Sequence, residues 1–151
     1  MSFTRRFLAF ATLVPAPRRM TRIFGRLHAS ALARLGTRSP LSSDVLALTT
    51  IGRSSGLARA TTVFHFDTDG RVYLAATYGG ANRIPSWFHN LAANERVSVE
   101  GRGIHGPRLA RVLPAVERDA LWPALDALYP RLATYRARTT HAIPVVELVE
   151  V

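Results

Sequence analysis

The sequence of 151 residues contains no cysteine and no lysine, so all twenty of its basic side chains are arginines. Without cysteine the chain can form no disulfide and can offer no thiolate to a metal or a substrate. Its length suffices for a single domain whose hydrophobic core needs no such cross-link. The five histidines are scattered without the spacing of metal ligands, which argues against a metal or haem site.

Acidic residues are missing from the first 40 positions, which carry eight arginines. Residues 41–151 carry twelve arginines and ten acids and are therefore close to neutral. This larger part also lacks the signatures of a nucleic-acid-binding domain, so we expect no nucleic-acid partner. We divide the chain into an arginine-rich N-terminal arm, residues 1–40, and a body, residues 41–151.

Long apolar runs are absent as well, and the run at 7–14 is too short to cross a bilayer. Residues 17–35 place Ile23, Leu27 and Ala31 on one face of a predicted amphipathic helix, with arginines elsewhere. This pattern suits an anionic membrane surface, or equally a helix packed on the body with a solvated arginine face. We expect a cytoplasmic protein, for which peripheral contact with the inner face of the cell membrane through the arm stays open.

The body is predicted to be mainly β, of the α+β class, with helices packed outside a closed or partly closed barrel of about six strands. The first three strands should form a meander. One helix is expected near 82–93, with Asn82 as its cap and Pro85 in its first turn. A second helix should begin at Pro114 and break after Trp122, because Pro123 follows. The predicted strands are 45–51, 60–66, 71–77, 96–100, 108–113 and 143–151.

The motif G-R-S-S-G at 52–56 matches the pattern around the nucleophile of serine hydrolases. That chemistry requires a helix directly after Ser54, whereas a strand-like segment follows, which argues against a hydrolase. The loop nevertheless holds Arg53, Ser55 and Arg59, and guanidinium groups, hydroxyls and backbone N–H groups together can bind an anion.

Four segments occur in a characteristic order: LTTIGRSSGLAR, GRVYLAATYGGANRIPSWFHNLAANERV, LWPALDALYP and AIPVV. Over about residues 45–147 this order resembles the family of deazaflavin (coenzyme F-420)-dependent nitroreductases and quinone reductases. The resemblance implies a flavin-reductase-like split β-barrel that binds coenzyme F-420, an 8-hydroxy-5-deazaflavin. It also implies hydride transfer from the reduced coenzyme to a quinone, nitroaromatic or other conjugated acceptor.

The residues are compatible with an elongated anion that carries a flat ring. Arginine forks suit its phosphate, and small side chains before Gly79 and Gly80 let a ring lie close to the strand. The resemblance implies that the loop at 53–59 contacts the phosphate end, that 75–78 contact the ring, and that 86–90 line its far side. The implied cofactor-binding residues are Arg53, Ser54, Ser55, Arg59, Ala75, Ala76, Thr77, Tyr78, Ser86, Trp87, Phe88, His89 and Asn90.

Candidate catalytic residues are Thr77 and Tyr135, which we expect to donate hydrogen bonds to the charge that develops on the acceptor. Tyr135 or solvent would supply the proton. By the same resemblance, Tyr129, Leu132 and Tyr135 form the substrate-binding mouth. Leu132 stands where the family has a tyrosine, which makes the mouth more apolar and suits a quinone or lipid-like acceptor.

The chain departs from the family pattern at Ser54 and Tyr78, where nitro-reducing members have lysine. Arg53 or Arg83 would then have to replace the lost charge. Three alternatives stay open at this point: a reductase that binds flavin mononucleotide (FMN), a non-catalytic carrier of deazaflavin or lipid, and the serine hydrolase. A homodimer is a further possibility that the sequence leaves undecided.

Overall fold

The computed structural model describes residues 44–101 and 103–151. The arginine-rich arm, its amphipathic helix and the boundary at residue 40 lie outside these residues. No helix within the described part is long and apolar enough to cross a membrane. The strands are β1 Val45–Ile51, β2 Ala58–Phe64, β3 Phe66–Thr68, β4 Arg71–Ala75, β5 Arg96–Gly101, β6 His105–Val112 and β7 Val145–Glu150; the helices are α1 Ser86–Ala93, α2 Ala115–Leu128 and α3 Arg131–Arg138.

The strands form one antiparallel sheet in the order β2-β1-β5-β6-β7-β4-β3. Its two edge strands, β2 and β3, are consecutive in the chain and are joined by the single residue His65. The sheet must therefore curl until its edges meet at His65, whose N–H donates to the carbonyl of Asp44 at 2.9 Å. The result is a seven-stranded split barrel, which confirms the predicted fold class.

The predicted meander of the first three strands is wrong. β1 and β2 do form a hairpin, but β4 pairs with β7, with Ala75 opposite Val145. The chain crosses from one edge of the sheet to the other at His65, and the short strand β3 begins there. Strand pairing is decided by contacts distant in sequence, which local alternation of apolar and polar residues does not report.

The core consists of two clusters on opposite faces of β4 and β7. Leu74 and Val146 point to the cluster inside the curled sheet, which α1 covers with Leu91. Their neighbours Tyr73 and Val145 point to the second cluster, beneath α2 and α3. Adjacent residues of a strand face opposite sides, so the same two strands serve both layers.

Two helix boundaries differ from the predictions. α2 runs through Pro123 without the expected break after Trp122. Proline costs a helix one hydrogen bond and some steric strain, but Trp122 and Leu125 on either side of it are buried in the second cluster and keep the helix continuous. The first helix begins at Ser86, after Pro85 as its N-cap, whereas Asn82 lies outside the helix and bonds to Thr140 instead.

Candidate functional site

A cavity of about 780 Å³ lies where the edge strand β2 faces the end of β4. Its volume is in the range of binding sites for cofactors and drug-sized molecules. Its wall is formed by Thr50, Gly52, Arg53, Ser54, Ser55, Arg59, Thr61, Thr62, Val63, Phe64, Phe66, Ala75, Thr77, Tyr78, Gly79, Pro85, Ser86, Trp87, Asn90, Tyr129, Leu132 and Tyr135.

One end of the cavity is polar and is built by the tight loop between β1 and β2. The N–H of Gly52 donates to the carbonyl of Leu57 at 2.7 Å, and the N–H of Leu57 donates to Ser55 Oγ at 3.2 Å. A Cβ on Gly52 would lie 2.5 Å from Ser55 Oγ and 3.2 Å from the carbonyl oxygen of Leu57, so glycine lets the loop close without displacing the serine hydroxyl. The loop therefore turns within a few residues and presents its side chains to the cavity.

The two arginines of this polar end, Arg53 and Arg59, are exposed at the cavity wall. Within residues 44–101 and 103–151, neither has a carboxylate at ion-pair distance. Ser54 and Ser55 lie between them along the chain. This end of the cavity can therefore offer guanidinium and hydroxyl donors to an anion from solution.

Asn90 on α1 supports the polar loop from below. Its buried side chain accepts a hydrogen bond from the N–H of Arg53 at 3.1 Å and donates one to Thr50 Oγ1 at 3.1 Å. α1, the end of β1 and the loop are thereby tied together. Asn90 was predicted to bind the cofactor; it lines the cavity, but its amide oxygen is already engaged in holding the loop.

The floor of the cavity follows β4. Ala75 and Thr77 line it, whereas Ala76 points away, is fully buried and donates its N–H to the carbonyl of Pro144 at 2.9 Å. After Thr77 the chain turns sharply through Tyr78, with φ 47°, and through Gly79 and Gly80, both also with positive φ. The Tyr78 ring is exposed at the rim, with the guanidinium of Arg83 4.5 Å from its centroid.

Only one face of α1 reaches the cavity. Ser86, Trp87 and Asn90 line it, because positions one turn apart share a helix face. Phe88 packs against the inner core cluster, and His89 faces solvent. The structure therefore does not bring Phe88, His89 or Ala76 to the cavity wall, contrary to their prediction as cofactor-binding residues.

The other end of the cavity is aromatic. The rings of Phe64 and Tyr129 stack at 5.8 Å with an interplanar angle of 20°. The ring centroids of Phe66 and Tyr135 lie 6.3 and 6.5 Å from that of Tyr129. Leu132 is buried and lines the same cavity. A hydrogen bond with Tyr135, and to a lesser degree burial, raises the pKa of Tyr129, so this phenol keeps its proton at neutral pH.

An ion pair behind the aromatic end holds α3 against α2. Arg136 donates to both carboxylate oxygens of Asp126 at 2.6 Å, and its guanidinium lies 4.2 Å above the Trp122 ring. This hydrogen-bonded guanidinium lowers the pKa of Asp126. The pair fixes the helix that carries Leu132 and Tyr135.

Several wall residues were absent from the predicted site. Strand character was evident for the segment of β2, but only the sheet order reveals that this strand forms an edge beside the cavity. The aromatic pattern around His65 was the one available signal for Phe64 and Phe66. The residues that sequence reasoning missed are Thr50, Gly52, Thr61, Thr62, Val63, Phe64, Phe66, Gly79 and Pro85.

A split barrel with a cavity that is cationic at one end and aromatic at the other is suited to an elongated anionic ligand that carries a flat ring. Residues 20–150 match the sequence model of the F420H(2)-dependent quinone reductase family. The chain belongs to this family. The match confirms the resemblance to F420-dependent quinone reductases, and with it the enzyme class and the cofactor, whereas the nitroreductase part of the resemblance stays a prediction.

Individual relatives agree with this assignment. An F420H(2)-dependent quinone reductase of Mycobacterium tuberculosis is 33% identical over 133 residues, which cover 85% of this chain and 89% of that protein. The solved structure of an F420-H2 dependent reductase is 33% identical, and the alignment covers 70% of this chain and 93% of that chain with a TM-score of 0.61. A solved structure described as a domain-swapped dimer is 30% identical, and the alignment covers 84% of this chain and 98% of that chain with a TM-score of 0.63.

Proposed function

We propose that this chain binds coenzyme F-420 in the cavity between β2 and β4 and reduces a quinone-type acceptor there. The observation that carries the proposal is the division of one cavity into a cationic end and an aromatic end. An elongated anion with a flat ring needs both, and a small conjugated acceptor needs only the second.

The residues present fit the coenzyme. Arg53, Ser54, Ser55 and Arg59 would hold its phosphate, because both arginines are free of carboxylates among the described residues. The small side chain of Ala75 leaves room for a ring on the floor. Serine at position 54, in place of the family's lysine, leaves the phosphate to the two arginines of the same loop.

When bound, the reduced coenzyme supplies a hydride to the acceptor. The protein's part is to place the acceptor and to stabilise the negative charge that develops on it. Thr77 Oγ1 and Tyr135 Oη would donate hydrogen bonds to the acceptor oxygen. Tyr135 Oη or a solvent molecule would give up the proton that completes the reduction, and water would restore it. Tyr129 stays protonated beside Tyr135 and can stabilise a phenolate formed there.

The aromatic end selects the class of acceptor. Phe64, Phe66 and Tyr129 line this end with aromatic rings, and Leu132 adds an aliphatic side chain beside them. Flat apolar molecules such as quinones would stack there and exclude water. Reduction of nitroaromatics is chemically similar and is part of the proposal, but a quinone is the acceptor that this apolar wall favours.

The N-terminal arm and the oligomeric state bear on where the protein acts and in what form. We infer a cytoplasmic enzyme whose arginine-rich residues 1–40 bring it to an anionic membrane surface, where apolar quinones are dissolved. The charge of the arm, with eight arginines and no acid, supports this placement. A homodimer is supported by the similarity to a domain-swapped dimer.

The test is a fluorescence titration with oxidised coenzyme F-420, followed by turnover of menadione with the reduced coenzyme. We expect saturable binding and turnover, and a fall in kcat of roughly tenfold or more in Thr77→Ala and Tyr135→Phe, because a positioned proton donor contributes at least that much. Thr68→Ala on β3 is the control, since Thr68 does not line the cavity.

Other outcomes would select the alternatives. Tight binding of F-420 without turnover of any acceptor would indicate a carrier, and binding of FMN alone would indicate a flavin reductase. Unchanged rates in both variants would remove Thr77 and Tyr135 from the mechanism. The serine hydrolase is disfavoured by the structure as well, because β2 and not a helix follows the loop of Ser54.

A further inference from the structure

The turn Tyr78–Gly80, which follows the cavity floor, lies directly against α3. A Cβ on Gly80 would be 2.5 Å from Cδ1 and 2.9 Å from Cε1 of Tyr135. The Tyr135 ring thus rests on the backbone of Gly80, which has φ 84°. Any side chain at this position would push the ring away, so glycine is required both by its conformation and by the contact.

A second connection lies two residues further along the chain. Asn82 Oδ1 accepts hydrogen bonds from the N–H of Thr140 at 2.9 Å and from Thr140 Oγ1 at 3.2 Å. Asn82 Nδ2 in turn donates to Thr140 Oγ1 at 3.2 Å. Thr140 follows the end of α3 at Arg138. These bonds span 58 residues of sequence and join the turn to the far end of the helix.

Neither Asn82 nor Thr140 lines the cavity. Their hydrogen bonds connect the two elements that do: the segment with Thr77 and Tyr78, beside the proposed ring site, and α3 with Leu132 and Tyr135, beside the proposed acceptor site. We propose that Asn82 is a positioning residue, whose bonds to Thr140 hold the Tyr78–Gly80 turn against Tyr135 and so set the place of the Tyr135 phenol. This inference rests on the proposed function.

The physical reason is that the turn is a poor anchor by itself. Tyr78, Gly79 and Gly80 all adopt positive φ, a conformation that a tyrosine takes up at a cost. Contacts outside the turn must therefore stabilise it, and the Gly80–Tyr135 contact and the Asn82–Thr140 bonds are placed to do so. A ligand that orders the turn should then also order α3.

The first experiment uses the free protein and hydrogen–deuterium exchange. We expect Asn82→Ala and Thr140→Val to speed exchange in both 77–83 and 131–140 by roughly threefold to tenfold, as loss of one or two modest hydrogen bonds allows. Asn82→Asp should restore slow exchange, because it keeps the oxygen that accepts from Thr140. Asn94→Ala is the matched control: Asn94 Oδ1 accepts from the N–H of Arg96, away from α3.

The second experiment separates binding from turnover. In Asn82→Ala, the Kd of oxidised F-420 should change less than about twofold, while the KM for menadione rises about fivefold, as expected for a displaced acceptor wall. Added coenzyme should protect 131–140 from exchange in the wild type and not in Asn82→Ala. Gly80→Ala should reproduce this pattern through the other connection.

Exchange confined to 77–83 in Asn82→Ala, or a pattern equal to that of Asn94→Ala, would overturn the inference. So would a rise in the cofactor Kd as large as the rise in the acceptor KM. Failure of the proposed function is a separate observation, because it would show as a wild-type protein that does not bind the coenzyme. The exchange measurements on the free protein decide the role of Asn82 in either case.

Discussion

The two ends of the cavity are built by different means. The polar end is a short loop of exposed side chains, whose arginines have no carboxylate partner in residues 44–101 and 103–151. The aromatic end is a packed group of rings on β2, β3 and α3 and on Tyr129 at the end of α2, supported from behind by the pair of Arg136 and Asp126. The arginines of the polar end have no ion-pair partner among the described residues, whereas the rings of the aromatic end contact one another.

This difference indicates a division of labour. Unpaired guanidinium groups give affinity for an anion and make it depend on salt. The aromatic rings carry no charge and offer apolar area against which a flat acceptor can pack. Changes at the polar end should therefore alter the Kd of the cofactor and leave the KM of the acceptor nearly unchanged. Changes at the aromatic end should alter the acceptor KM and leave the cofactor Kd nearly unchanged.

The largest effect should come from removing both cations of the polar end. We expect Arg53→Ala/Arg59→Ala to raise the Kd of oxidised F-420 by roughly 100-fold or more at low salt, because each charge-assisted hydrogen bond contributes about 1.5–3 kcal/mol. Fluorescence titration over a range of salt concentrations measures this. The wild-type Kd should rise with salt, and that of the double variant should be nearly constant.

The control for this variant is Arg96→Ala, since Arg96 is exposed on β5 and does not line the cavity. It lowers the net charge without touching the loop. A double variant that binds within threefold of the wild type would show that the polar end is not where the anion lies.

A smaller effect is expected at the aromatic end. Phe64→Ala should raise the KM for menadione about fivefold, because a stacked aromatic pair contributes roughly 0.5–1.5 kcal/mol, while the cofactor Kd stays the same. Phe64→Leu should be intermediate, since it keeps apolar area and loses stacking. Steady-state kinetics with the two variants makes the comparison, and an equal rise in the cofactor Kd would contradict the division between the ends.

The smallest effect concerns the support behind the rings. The pKa of Asp126 is lowered in the folded protein by its hydrogen bonds with Arg136. A lowered pKa stabilises the fold above the ordinary aspartate pKa near 3.9, and this contribution disappears as the pH falls through the folded value. Asp126→Asn should therefore cost about 1 kcal/mol of unfolding free energy at pH 7 and less near pH 2.

Urea denaturation at the two pH values measures this difference. Asp119→Asn is the control, because Asp119 pairs with Arg118 on the exposed side of α2. If Asp126→Asn were equally destabilising at both pH values, the loss would come from packing of the side chain and not from its charge.

Local sequence patterns anticipated the elements that depend on neighbours along the chain. The first strand was predicted at 45–51 and is found as Val45–Ile51, because β-branched residues between polar turns favour a strand wherever it finally lies. The arginine- and serine-rich loop was likewise evident, since glycine and serine between two strands predict a turn. The break expected at Pro123 failed because buried neighbours outweigh one lost hydrogen bond.

The sequence by itself determined a mainly β chain that resembles the deazaflavin-dependent reductases, with an arginine- and serine-rich loop and small residues before a double glycine. Tertiary structure alone decided that β4 pairs with β7, that Phe64 and Phe66 join the cavity across His65, and that Phe88 and His89 turn away from it. The physical reason is that a residue's preference for strand or turn acts over a few neighbours. Which side chains share a wall depends on how a curled sheet brings its distant edges together.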